Sequence, residues 1–124
     1  MRRLALVALA SLAAQAAFAA DSFDGEYSSR RGNYQQEAEI TRKGNGYAVS
    51  LVVGQRSGCT GIFDGTGTVE NGRLIVRTSD PNYKDDACKI TISRTPKGIA
   101  IEEDQCSTWH GASCSFEGDR YRKR

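Results

Sequence analysis

From about residue 22 onward the sequence alternates short runs of apolar and polar residues, broken by turns containing Gly and Asn. Alternation with a period of two, bounded by turn residues, is the pattern of an antiparallel β-protein with one face buried. Eight strands are predicted, over residues 23–28, 36–43, 47–53, 59–63, 66–70, 73–78, 88–94 and 99–104, with a ninth over 114–117 able to close the sheet. The stretch 35–42 contains good helix formers, but its alternation and the turn that follows favour strand.

Local turn chemistry sets the register. Asn45-Gly46 suits the positive φ values of a two-residue type I′ hairpin, and a turn there opposes Ile40 to Leu51 and Ala38 to Val53. The same reading at Asn71-Gly72 opposes Glu70 to Arg73, Val69 to Leu74 and Gly67 to Val76. Both hairpins place their apolar residues on one face. A third hairpin turns within Thr95-Pro96-Lys97-Gly98. A three-residue loop sets Ile92 opposite Glu102, whereas a two-residue turn sets it opposite Ile101 as hydrophobic matching prefers, and the register stays open between them.

No linker, low-complexity block or long-period repeat divides this region, so a single domain over residues 20–124 is expected. A domain of that size cannot bury both faces of a large open sheet. A small antiparallel up-and-down β-barrel of about eight strands removes the edges economically, with a flattened β-sandwich as the alternative.

Residues 1–19 read differently. Arg2-Arg3 precede an apolar run, and Ala17 and Ala19 occupy the small-residue positions of a cleavage site, the organisation of a secretory signal peptide. The run is too short for a membrane span, and the mature chain is expected in the periplasm or secreted. The whole chain carries a formal net charge of +2, but without Arg2 and Arg3 fifteen bases face fifteen acids. A near-neutral domain is not a general nucleic-acid binder.

The four cysteines, Cys59, Cys88, Cys106 and Cys114, all follow the leader, and an even count in a small exported domain predicts two disulfides. None of their spacings is the close Cys-x-x-Cys pair of a zinc site, and His110 is the single His. Four cysteines allow three connectivities. The preferred one joins Cys106 to Cys114 within a loop and Cys59 to Cys88 between strands.

Phe23-Asp24-Gly25-Glu26-Tyr27 resembles the Gly-x-aromatic opening strand of lipocalin-like and avidin-like barrels, and Phe116-Glu117-Gly118-Asp119-Arg120-Tyr121 has a related form. The wider pattern of Cys59-Thr60-Gly61-Ile62-Phe63-Asp64-Gly65, Cys88, and Cys106 to Cys114 around Trp109-His110-Gly111 resembles small periplasmic proteins of Gram-negative bacteria. Size, export and disulfides are also similar to those of the periplasmic lysozyme inhibitors. That resemblance implies a loop that enters the enzyme cleft and presents hydroxyl and basic groups to its acidic catalytic residues. Arg56-Ser57-Gly58 carries the Ser-Gly part of the inhibitors' longer Ser-Gly-Ala-x-Tyr pattern, with Cys59 in place of the Ala and no Tyr at the matching position.

Catalysis finds little support. No Gly-x-Ser-x-Gly elbow accompanies Ser57 or Ser113, and bridged cysteines leave no thiolate. The acids Glu102-Glu103-Asp104 read as a solvated strand edge. The loop 79–86 reads as a polar turn without the spacing of an EF-hand, and no cofactor or metal is expected. The basic end, Arg120 to Arg124, reads as an untethered tail. Trp109 and His110 are either a rigid aromatic anchor or a cap folded onto the barrel end. The expected function is therefore non-enzymatic binding through Arg56, Ser57, Trp109 and His110. The expected partner is a secreted lysozyme-like hydrolase, or alternatively a small ligand or polymer of the envelope.

Overall fold

The computed structural model describes residues 22–124, so the leader reading falls outside the described residues. Eight strands follow in order: β1 (Gly25–Arg31), β2 (Tyr34–Lys43), β3 (Gly46–Gln55), β4 (Thr60–Glu70), β5 (Arg73–Thr78), β6 (Lys89–Thr95), β7 (Gly98–Asp104) and β8 (Gly118–Lys123). Each pairs antiparallel with its neighbour in sequence, and β8 returns to β1 through Tyr27↔Lys123 and Ser28↔Arg122, closing an up-and-down barrel. Closure, not a sandwich, is how this chain removes its sheet edges.

Alternation decides what lies inside. On β3, Tyr47, Val49, Leu51 and Val53 are each no more than 4% exposed, while Ser50 and Val52 between them face out. Equivalent inward positions on the other strands fill the interior with side chains, as expected of a barrel this narrow. Phe23 plugs one end, and Phe63 and Phe116 stand edge-tilted at 6.3 Å towards the other.

Three hairpin registers test the turn chemistry. At Asn71-Gly72 both central residues have positive φ, 52° and 78°, and the pairing is the one the sequence predicts. In the first hairpin the turn is Gly44-Asn45, not Asn45-Gly46: Ile40 faces Val49 and Ala38 faces Leu51. Gly44 takes the positive φ, 57°, with glycine at the first central position as in a type II′ turn. Gly46 is held inside β3, where a Cβ would run into the Gly67 carbonyl. The displacement is two residues, so the inward face is unchanged. In the third hairpin a two-residue turn sets Ile92 opposite Ile101, the register favoured by hydrophobic matching.

Several strand boundaries differ from expectation. The predicted strands 59–63 and 66–70 are one strand, β4. Gly65 is not a turn, and both it and Gly67 are points of close approach, where a Cβ would meet the Arg77 and Ile75 carbonyls. No strand covers 114–117. The last strand is instead β8, so the basic end is barrel wall and not a loose tail. Tyr121 accounts for this: it is 1% exposed and its hydroxyl donates to the Phe116 carbonyl at 2.6 Å. Burial, with Tyr34 and Glu103 adding to it, holds that phenol well above its ordinary range.

The preferred disulfide pairing is also corrected. Cys59 joins Cys114 and Cys88 joins Cys106, with Cα separations of 6.0 and 4.4 Å. The β6–β7 register is the physical reason for the second bridge. Lys89 pairs with Asp104, so the residues just beyond, Cys88 and Cys106, meet at the same end of the hairpin. Cys114 is then left to Cys59.

Candidate functional site

The up-and-down order puts the connections 32–33, 56–59, 79–88 and 105–117 at one end of the barrel, together with both disulfides and all four candidate binding residues. The two candidate loops are joined. Cys59–Cys114 links them covalently, Gly111 N donates to the Thr60 carbonyl at 3.0 Å, and Gly61 bridges to His110. Gly61 must lack a side chain, because a Cβ there would run into His110 and the Trp109 carbonyl.

Trp109 and His110 are held in the packed loop end, both partly buried. Trp109 ends a 3-10 turn, Ser107–Trp109, and folds over the barrel. It stands edge-on to Phe63 at 5.6 Å and to Tyr83 at 5.0 Å, and its Nε1 donates to Asp86 Oδ1 at 3.3 Å. Asp86 Oδ1 also accepts from Cys88 N at 2.8 Å, so this carboxylate organises the cap. His110 Nδ1 faces the Gly111 carbonyl at 2.7 Å, which can only accept, so that nitrogen carries a hydrogen. His110 Nε2 lies 2.6 Å from Glu103 Oε1, and Glu103 Oε2 accepts from Phe116 N at 3.0 Å. Their side chains are only 9% and 13% exposed.

Glu103 is therefore not part of a solvated edge. It lies between paired neighbours on β7 and ties that strand to the following loop. The imidazole meets Glu103 and a backbone carbonyl, not Ser57 or Ser113, so the residues that could have formed a hydrolytic triad are not assembled. Tyr34 and Gln36 fix the same loop from the other side. Tyr34 Oη both donates to Ser115 O and accepts from Ser115 N at 2.8 Å, and Gln36 Nε2 donates to the Ser115 and Glu117 carbonyls at 3.0 and 2.8 Å.

Arg56 and Ser57 stand apart from that cap. Both are exposed at the tip of the β3–β4 loop. Their backbone is fixed by Gln55 N to Cys59 O at 2.9 Å, Gly58 N to Gln55 O at 2.9 Å and Arg56 N to Asn33 O at 3.3 Å, with Gly58 at φ 111°. A tip bonded at its base and stapled at Cys59 loses little further freedom on binding. Arg56 borders an outer-wall depression of about 360 Å³ with Asn33, Gln35, Glu37, Val52 and Gly54.

Sequence reasoning missed the apolar part of this face. Val52 on β3 and Ile62 on β4 are directly paired and point outward, 43% and 64% exposed. The available signal was Val52 lying between the inward Leu51 and Val53, on the side where alternation calls for a polar residue.

No family model matches the chain, and no curated protein or solved structure matches it significantly.

Proposed function

We propose that this protein is an exported, non-enzymatic binding module whose stapled end engages a secreted hydrolase with an acidic cleft, of the kind a lysozyme presents. The observation that carries this reading is the fixed, exposed Arg56-Ser57 tip beside the outward Val52–Ile62 pair. Arg56 supplies a charge and a planar fork for the enzyme's carboxylates, Ser57 a hydrogen bond, and the aliphatic pair the apolar contact. Trp109 acts by holding the loop end in place, not by touching the partner. Two disulfides and the lack of a long apolar helix among the described residues are compatible with the periplasm or the extracellular space. A small ligand inside the barrel is the weaker reading, because side chains fill the interior.

The test is hydrolysis of cell-wall substrate by lysozymes of several classes, with the oxidised mature protein at micromolar concentration. Inhibition should appear for at least one class, and Arg56→Ala and Ile62→Glu should each weaken it by about tenfold or more. Full activity of every lysozyme under those conditions sinks the reading.

A further inference from the structure

The strand that closes the barrel carries a second surface, unlike the stapled end. Four of the fifteen bases in the mature domain fall within residues 120–124. Because Tyr121 is buried, β8 turns Arg120 and Arg122 to solvent, and its closure against β1 and β7 fixes them in the wall. Register places Arg122 between Ser28 of β1 and Gly98 of β7, neither of which offers an anion. Lys97, on the adjoining turn, accepts from Lys123 N through its carbonyl at 3.2 Å and lines the same depression as Arg120 and Arg122.

Charge pairing separates these groups from their neighbours. Arg124 is satisfied by Glu37 at 2.8 Å, and Arg30 donates to Gln35 at 3.0 Å. Among the described residues Lys97, Arg120 and Arg122 have neither an ion pair nor a side-chain hydrogen bond. With Thr95, Pro96 and Asp119 they line a depression of about 280 Å³, three cations to one carboxylate. Unpaired cations gathered in a shallow recess of a neutral domain raise the local potential and attract anionic groups. Guanidinium forks match carboxylates in particular.

Three observations narrow the occupant. At Arg122, β8 is paired with both β1 and β7, so no open edge is offered there to an added peptide strand and recognition at this residue falls to its side chain. The exposed large apolar residues, Val52, Ile62, Val69 and Tyr83, lie on other elements, leaving this wall nothing to insert into lipid. The aromatic ring of this strand, Tyr121, is buried and gives no platform for nucleobase stacking. We propose that the β8 wall binds a carboxylate-bearing polysaccharide, with Arg120 and Arg122 gripping uronate carboxylates and Lys97 reinforcing the field. The site shares no residue with the hydrolase-binding tip and does not depend on it.

Polygalacturonate is the probe, titrated calorimetrically into the oxidised mature protein, with dextran as neutral control and phosphatidylglycerol vesicles as the competing anionic surface. Saturable binding is expected to polygalacturonate and not to dextran, weakening steeply between about 50 and about 200 mM salt. Arg120→Gln, Arg122→Gln and Lys97→Gln should each reduce affinity by about fivefold or more, while Arg56→Ala leaves it unchanged. Near-ultraviolet circular dichroism verifies the fold of each variant, and Lys97→Gln, at a turn, keeps the test open if a strand variant fails to fold. Equal affinity of wild type and folded variants, equal binding of dextran, or tighter binding of the vesicles each overturns the assignment.

Discussion

His110 and Glu103 are joined at 2.6 Å at the end of the barrel, and the remaining polar atom of each side chain is bonded to backbone. This closed circuit makes the pair a clamp between β7 and the loop that carries Trp109. Glu103→Ala should therefore lower unfolding free energy by about 2–4 kcal/mol, because a partly buried imidazole and the Phe116 amide lose their acceptor. Glu103→Gln, whose amide can still bond to both, should stay within about 1 kcal/mol of wild type. Urea denaturation of the three proteins checks this. A Gln variant as unstable as the Ala variant would contradict the clamp.

The disulfide map is directly testable. Trypsin leaves Cys106 and Cys114 on one peptide, so chymotryptic cleavage after Trp109 is needed to separate them. Mass spectrometry without reduction should then recover Cys59 linked to Cys114 and Cys88 linked to Cys106. The separations of 55 and 18 residues correspond to about 4 and about 3 kcal/mol in the loop-entropy picture. Replacing both Cys59 and Cys114 by Ser should cost less than that in practice, and should free the Arg56 loop for proteolysis while the β6–β7 hairpin stays protected.

Neighbours on β4 should respond oppositely. Phe63 is wholly buried and Ile62 is the most exposed of the large hydrophobic residues. Phe63→Ala should cost about 3–5 kcal/mol through the cavity it leaves, whereas Ile62→Thr should change stability by no more than about 0.5 kcal/mol. Thermal or chemical melts of the two variants decide it, and a large loss at Ile62 would assign that side chain to the core.

Alkaline pH should unfold the protein through its buried phenols. Burial raises the pKa of Tyr121 and, more moderately, of Tyr27, where Asp24 adds to the effect and Arg94 opposes it. Above about pH 10 the unfolded chain ionises these groups while the folded chain keeps them protonated, so the unfolded state binds fewer protons. Their stabilisation is complete below that pH and is lost as pH rises, by up to about 1.4 kcal/mol per unit for each such tyrosine. Absorbance at phenolate wavelengths should show Tyr121 ionising only with unfolding, and Tyr121→Phe should flatten the alkaline slope. An alkaline slope unchanged in Tyr121→Phe would contradict it.

Much of the barrel is legible from alternation and from the Asn71-Gly72 turn, where backbone chemistry and hydrophobic register point the same way. Where they diverged, register prevailed. It chose the two-residue turn at Pro96-Lys97, whereas the shift of the first turn to Gly44-Asn45 is invisible to alternation, because a displacement of two residues leaves the inward face unchanged. Either register of the Pro96-Lys97 hairpin brings Cys88 to the same end as Cys106, so the hairpin itself carried a pairing signal that the preferred connectivity did not use. The basic end hid its strand because one inward residue, Tyr121, among four charged ones gives almost no periodic signal. Gly65 reads as a break between two strands, yet it and Gly67 both sit against the carbonyls of β5. At the candidate site, exposure of Arg56 and Ser57 followed from loop composition. The folding-in of Trp109 depended on Phe63, Tyr83 and Asp86, which lie far from it in sequence.

The meeting of β1 and β8 makes the order of strands around the ring independent of where the chain is cut. Arg124 N donates to the Glu26 carbonyl at 2.9 Å, so the carboxyl end lies beside the first strand, at the pole opposite the disulfides. A short flexible connector from there to residue 22, with the chain opened instead at Asn71-Gly72, should give a circular permutant with the same interior. For the same reason, a tether attached after Arg124 would hold the molecule with its Arg56 tip pointing away from the support.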